Sequence, residues 1–240
     1  MRRNTHAGKA ARYDLGRPAY PDAFFDFLGP APVIADIGAG TGKVTQGFLE
    51  HGSRVYAVEP DEDMRRILLE RTGSYGNCTV LGNYAEDTGI PTGTIDLIFC
   101  GNSYYWFDRA RAIPEFKRIL KPSAGVNVVL AWLGGSPRKS DKLYEALAAY
   151  RKPMDGRHDE SPPFREGAFE MRGFSFTLHR DWDGFLSGML SASFSPNPGE
   201  DDFEGYCEII KQHFERYSKN QKLETKFKLT CMTGNANDLI

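Results

Sequence analysis

The run VIADIGAGTGKV, Val33 to Val44, sets a carboxylate, Asp36, two positions ahead of glycines at alternate positions, Gly38, Gly40 and Gly42. The next apolar run, RVYAVEP, ends in a second carboxylate, Glu59, followed by Pro60. Glycines at that spacing allow a tight strand-to-helix turn whose bare backbone can touch a ligand. An acid at the end of the next strand can accept both hydroxyls of a ribose. These residue types in this order describe the binding turn of a nucleotide cofactor.

The neighbouring residues separate the cofactors that use such turns. A phosphate-binding loop, G-x-x-x-x-G-K-[ST], needs glycine where Ile37 stands and a hydroxyl where Val44 stands. A dinucleotide fingerprint, G-x-G-x-x-G, needs glycine at Lys43. Asp36 is a poor neighbour for a pyrophosphate and a good one for a ligand bearing an ammonium and a sulfonium, which points to S-adenosylmethionine. DIGAGTG matches in full the motif [DE]-x-G-x-G-x-G, and in this the chain resembles the class I S-adenosylmethionine-dependent methyltransferases.

The resemblance covers nearly the whole chain and extends to small-molecule methyltransferases related to trans-aconitate methyltransferase. AARYDLGRPAYP is similar to their opening, IDLIFCGNSYYWFD to their fourth-strand motif, and FKRILKPSAG to the helix and turn before their fifth strand. FLSGMLSASFSPNPG looks like the Ser-x-Ser element of their insertion. The family implies methyl transfer, with backbone at Gly38, Ala39, Gly40 and Gly42 against the methionyl part of the cofactor and Glu59 on the ribose. YAED resembles the adenine-binding motif around Tyr84, Ala85 and Glu86, and the base-edge partner stays open among Asn83, Tyr84 and Glu86. Met64, one turn past Pro60, covers the adenine or packs in the core.

Gly101 and Asn102 follow the fourth strand, at the end where open α/β sheets place ligands. Tyr104 and Tyr105 come next and are candidates to face the sulfonium or the acceptor, since aromatic faces attract cations; Trp106 reads as packing. The family often carries His where Tyr105 precedes Trp-Phe-Asp, so no role of that histidine transfers. Trp132, at the end of the fifth strand, is a further acceptor-site candidate. By the resemblance, Tyr13, Arg17 and Tyr20 belong to a segment that folds over the cofactor, with Arg17 pairing a cofactor or acceptor carboxylate or lying on the surface. Ser191 and Ser193 line the acceptor pocket or bond to local backbone. No residue stands out as a general base, and no His and Cys spacing suggests a metal.

Alternating strand and helix patterns predict a mostly parallel α/β sheet with helices on both faces and an antiparallel last strand. Strands are expected at Val33 to Ile37, Arg54 to Glu59, Thr79 to Leu81, Ile95 to Cys100 and Val126 to Trp132. Helices are expected near Thr41 to His51, Asp61 to Thr72 and Arg109 to Leu120, with Pro114 kinking or restarting the last. GGSPRKS reads as a loop, DKLYEALAAY as a helix, and Lys152 to Arg165 as a second loop. FSFTLHRDW and KLETKFKLTCMT read as closing strands around a helical insertion. The expected organisation is one domain: a lid segment at 1–30, a cofactor core at 31–182, an insertion at 183–219, and a final strand and tail at 220–240.

With 30 basic and 32 acidic residues and a formal charge of -2, the 240-residue chain offers no general field for nucleic acid or an anionic membrane. Four scattered cysteines predict no disulfide framework and a reduced, cytoplasmic setting. The start lacks a signal peptide's apolar stretch and no run suits a membrane span. The expected partner is a small-molecule acceptor, methylated at oxygen by preference with nitrogen and carbon acceptors open, and the chain is expected to be a monomer or weak dimer. Competing readings are a nicotinamide-dependent oxidoreductase, a methyltransferase acting on protein or RNA, and a cofactor-binding protein without turnover.

Overall fold

The computed structural model describes residues 8–123, 125–150 and 163–240. Part of the expected second loop, residues 152–162, lies outside them, as do residues 1–7 of the expected lid. Fifteen main elements follow in order: α1 Ala10–Gly16, α2 Asp22–Leu28, β1 Val33–Ile37, α3 Lys43–Glu50, β2 Arg54–Val58, α4 Glu62–Thr72, β3 Cys78–Leu81, β4 Leu97–Gly101, α5 Arg109–Ile119, β5 Val128–Pro137, α6 Ser140–Ala146, β6 Phe169–Arg180, α7 Trp182–Leu190, α8 Phe203–Tyr217 and β7 Leu223–Gly234. The strands form one seven-stranded sheet in the order β3-β2-β1-β4-β5-β7-β6. β1 pairs in parallel with β2 and β4, β2 with β3, and β4 with β5. β7 runs against β5: Asn127 N–H donates to the Gly234 carbonyl and Arg138 N–H to the Glu224 carbonyl.

The residues group into two compact units, one of Met1–Pro18, Gly134–Asp155 and Ser175–Lys228, the other of Ala19–Leu133, Gly156–Phe174 and Leu229–Ile240. In the second unit the near-continuous apolar runs of β1, β2 and β4 bury both faces, as strands of a covered parallel sheet must. Ala35, Ile37, Ile98 and Cys100 enter a core with Phe107, Phe116, Ile119 and Phe164. Phe99 meets Tyr20, Phe24 and Phe48 edge to face. In the first unit, Leu143, Leu147, Phe185, Tyr206 and Ile210 make a separate core.

Several boundaries differ from expectation. β5 runs on through Gly134, Gly135, Ser136 and Pro137, which read as a loop. Pairing with β7 overrides their weak strand preference, as Arg138 N–H donating to the Glu224 carbonyl shows; a side chain at Gly135 would come 2.6 Å from the Phe227 ring. The strand after α3 stops at Val58 rather than Glu59, and β4 begins at Leu97, with Ile95 in an isolated bridge to Leu120. The helix after β5 stops at Ala146 and tightens into a 3-10 turn, Ala148–Tyr150, which keeps Leu147 buried beside Leu143. Pro114 lies inside an unbroken α5 and does not restart it, although its missing N–H removes the bond to the carbonyl four residues back.

Candidate functional site

Register places the site. Ile37 and Val58 are the last parallel pair of β1 and β2, so the chain leaves both strands at one level. Gly38 N–H and Ala39 N–H both donate to the Val58 carbonyl, at 2.8 and 3.1 Å. The turn that follows needs glycine for conformation and for space. Gly38, Gly40 and Gly42 have φ of +76°, +59° and +81°. A Cβ at Gly38 would sit 2.6 Å from the Ser103 Cβ, and one at Gly42 2.5 Å from Leu68 Cδ1.

Two buried carboxylates flank this turn. Asp36 Oδ2 accepts from Thr45 Oγ1 on α3 at 2.6 Å. Burial raises its carboxyl to about 7, with the Thr45 hydroxyl opposing that shift and Glu59 adding to it. Glu59 accepts from Gly40 N–H at 2.7 Å with one oxygen and from Asp61 N–H at 2.8 Å with the other. Burial raises its carboxyl too, against the lowering effect of those N–H groups. Asp61 in turn caps α4 by accepting from Met64 N–H at 2.9 Å, which places Met64, buried, on the first turn.

The remaining second-unit candidates divide between surface, backbone and core. Pro60 is exposed, and Arg65 Nη1 donates to the carbonyls of Glu59 and Pro60. Ala85 is buried and Tyr84 exposed, while Glu86 accepts from Asp108 N–H at 2.7 Å. Asn102 takes a left-handed φ of +54° and its Oδ1 accepts from Leu133 N–H at 3.2 Å. A Cβ at Gly101 would meet the Tyr20 hydroxyl at 3.0 Å. Tyr20 and Tyr104 are buried, Tyr104 in the core, whereas Tyr105 and Trp132 are half-buried.

Tyr13, Arg17, Ser191 and Ser193 fall in the first unit. The Arg17 guanidinium lies 5.3 Å from the centre of the Tyr13 ring. Ser191 Oγ donates to the Gly188 carbonyl at 2.8 Å, a local backbone bond of the kind a serine ending a helix makes.

The sequence reading missed Ser103, whose Oγ donates to the Ile37 carbonyl at 2.7 Å and closes one side of the turn. It missed Arg71, whose Nε donates to the Thr41 carbonyl at 2.9 Å. It also missed Thr41 and Thr45. Their signal was present: hydroxyls inside and just after a glycine turn, next to an acid. Thr41 Oγ1 is buried with no hydrogen-bond partner among the described residues. An orphaned buried hydroxyl costs about 1–3 kcal/mol, so a ligand that bonds to it recovers that loss.

A family model described as "Methyltransferase domain" matches residues 35–126, the stretch that holds the turn, Glu59 and β4. Over that stretch the chain is similar to a methyltransferase domain. An uncharacterised methyltransferase of Mycobacterium tuberculosis is 37% identical over 119 residues, 49% of this chain and 48% of that protein. The chain thus spans about half the length of the curated relatives it first matches. A solved structure of a candidate type II methyltransferase from Anaeromyxobacter dehalogenans matches 92% of the chain and 98% of its own, with a TM-score of 0.68 and 23% identity. A methyltransferase from Thiobacillus denitrificans, solved with S-adenosylhomocysteine, shares the fold at a TM-score of 0.51 and 12% identity, over 97% of this chain and 99% of its own.

No helix of the described residues is long and apolar enough to cross a membrane. Among them no group of His, Cys, Asp and Glu is placed to hold a metal, and the cysteines Cys78, Cys100, Cys207 and Cys231 are free.

Proposed function

We propose that the chain transfers the methyl group of S-adenosylmethionine to an oxygen of a small-molecule acceptor. The observation that carries the reading is the pair of buried carboxylates, Asp36 and Glu59, flanking a turn of left-handed glycines. Both are pushed towards their neutral forms by burial, so a cationic ligand stabilises the site by restoring their charge. The cofactor supplies a methyl group bonded to a positively charged sulfur.

Asp36 balances the ligand's positive charge. Each Glu59 oxygen, holding one backbone N–H, keeps a lone pair for a ribose hydroxyl. Thr41 offers its unpartnered hydroxyl, and Met64, Tyr84, Ala85 and Glu86 are assigned to the adenine end. Gly101 and Asn102 hold the cofactor's flank, and Tyr20, Tyr104, Tyr105 and Trp132 shape the acceptor side. Tyr13, Arg17, Ser191 and Ser193 are assigned to cofactor and acceptor by family resemblance.

Oxygen is favoured because orientation of two bound reactants can supply about 7–11 kcal/mol of the barrier, whereas a general base adds roughly 10²- to 10⁴-fold. A carboxylate acceptor needs no base, and both carboxylates of the turn are already committed to hydrogen bonds. The small formal charge supports a small acceptor over RNA.

Incubation with methyl-labelled S-adenosylmethionine and panels of carboxylic acids, phenols and amines tests the reading. Label is expected in methyl esters or ethers. Label appearing only in amines, protein or RNA would remove the acceptor assignment, and no transfer to any class would leave a binding protein.

A further inference from the structure

In the first unit, the ends of β5 and β6 flank the first half of β7, in the order β5-β7-β6. Two contacts fix their level: Arg138 N–H donates to the Glu224 carbonyl, and the Phe176 ring stacks on Phe227 at 5.4 Å with 16° between planes. Successive side chains of a strand point to opposite faces. Phe227 is buried and points to the face that carries Arg180, whose guanidinium lies 5.9 Å from the ring centre and donates to the Gly184 carbonyl of α7. A Cβ at Gly135 would point the same way, 2.6 Å from that ring.

Lys226 and Lys228 therefore project from the opposite face, away from α7. So does the position of Gly134, where a Cβ would meet nothing within 4 Å. That face holds a cleft of about 390 Å³, lined also by Ser136 on β5 and by Ser175 and Thr177 on β6. Ser191 and Ser193 follow α7, so the sheet separates the cleft from the acceptor residues assigned in this unit.

The chemistry of the cleft is one-sided. Lys226, Lys228, Ser136, Ser175 and Thr177 are all exposed. Among the described residues neither ammonium lies within ion-pair distance of a carboxylate. The nearest acid along β7, Glu224, is half-buried. Alternate residues of a strand stand about 7 Å apart, so two long, flexible stems can bring both ammonium groups onto one anion. Two like charges this close repel, and an anion between them relieves the repulsion. Hydroxyls on the flanking strands add donors from either side. Donors converging from three strands suit the tetrahedral oxygens of a phosphoryl group, whereas a flat carboxylate would leave one side unused. The volume leaves room for a small organic body beyond that group.

We propose that the Lys226 and Lys228 face of β7 binds a phosphoryl dianion, free or at the head of a small phosphate monoester. The site does not depend on methyl transfer.

Calorimetry of the full chain at pH 8 and fixed ionic strength tests it, with glycerol 3-phosphate, inorganic phosphate and succinate titrated in parallel. Glycerol 3-phosphate is expected to bind more tightly than succinate, with affinity at least fivefold lower in Lys226→Gln and in Lys228→Gln. Lys211→Gln removes an exposed charge from α8 and should leave the affinity unchanged. Gly134→Leu keeps both lysines and fills the cleft, so it should weaken binding by a similar factor. Should that variant fail to fold, the exposed lysines decide alone. Tighter binding of glycerol 3-phosphate than of inorganic phosphate assigns the monoester, and equal binding assigns free phosphate; both uphold the site. Binding of neither, succinate binding as tight as the phosphates, an equal loss in Lys211→Gln, or affinity unmoved by a folded Gly134→Leu would each overturn the proposal.

Discussion

The glycine turn and the end of β6 are electrostatic opposites built by the same means. At the turn, Asp36 and Glu59 are buried acids whose pKa values rise, Asp36 to about 7. At β6, Arg180 is a largely enclosed base whose pKa falls to about 10 beside a second arginine. Glu59 is held by two backbone N–H groups and Arg180 by two backbone carbonyls. Gly40 supplies one of those N–H groups, and Gly16 and Gly184 supply the two carbonyls. Backbone dipoles can therefore hold a charged group in place without neutralising it. What is left over at the turn is a demand for a cationic ligand.

A large effect expected from breaking this symmetry is at Asp36. Its folded pKa lies above the ordinary value of 3.8. Its contribution to stability is therefore complete in acid, below the unfolded pKa, and is lost as pH rises through about 7, where the folded chain must hold a buried charge. Asp36→Asn removes that dependence. The variant should gain stability over the unaltered chain at pH 8, by about 4 kcal/mol at most, while losing affinity for S-adenosylhomocysteine. Denaturant melts between pH 5 and 8 check this. Parallel pH profiles for the two chains would show that Asp36 is not the titrating acid.

The next effect separates conformation from packing. Gly38→Ala forces a side chain into a left-handed residue and against Ser103 at 2.6 Å. It should cost about 2–5 kcal/mol, the sum of the two penalties. In the first unit, Gly16→Ala meets the Gly188 backbone at 2.4 Å but at an ordinary φ. Overpacking alone should cost about 1–3 kcal/mol there. Equal losses in urea melts would mean that the left-handed backbone at Gly38 contributes nothing.

The two regions were also unequally legible in the sequence. Asp36, Gly38, Gly40, Gly42 and Glu59 are read directly, because a strand, a tight turn and the next strand are local and each constrains residue type. Ser103, which fills the space that makes Gly38 necessary, comes from β4's far end, 66 residues from its Ile37 partner. Arg180 and Gly16 are 164 residues apart, and no pattern in either segment announces the other. GGSP was misread for the same reason: glycines signal a loop locally, and the pairing that makes them strand comes from the distant β7. The burial of Tyr104 against Phe107 and its core neighbours was not legible either, since aromatic type alone does not say how deeply a ring is packed.

The central claim is that the glycine turn with Asp36 and Glu59 holds S-adenosylmethionine or its demethylated product. Calorimetry with S-adenosylhomocysteine and with NAD, on the unaltered chain and on Glu59→Ala, tests it most directly. S-adenosylhomocysteine should bind and NAD should not, and Glu59→Ala should weaken the former by roughly 1.5–3 kcal/mol, the scale of hydrogen bonds to a charged group. Tight NAD binding, or an unchanged S-adenosylhomocysteine affinity in a folded Glu59→Ala variant, would contradict the account.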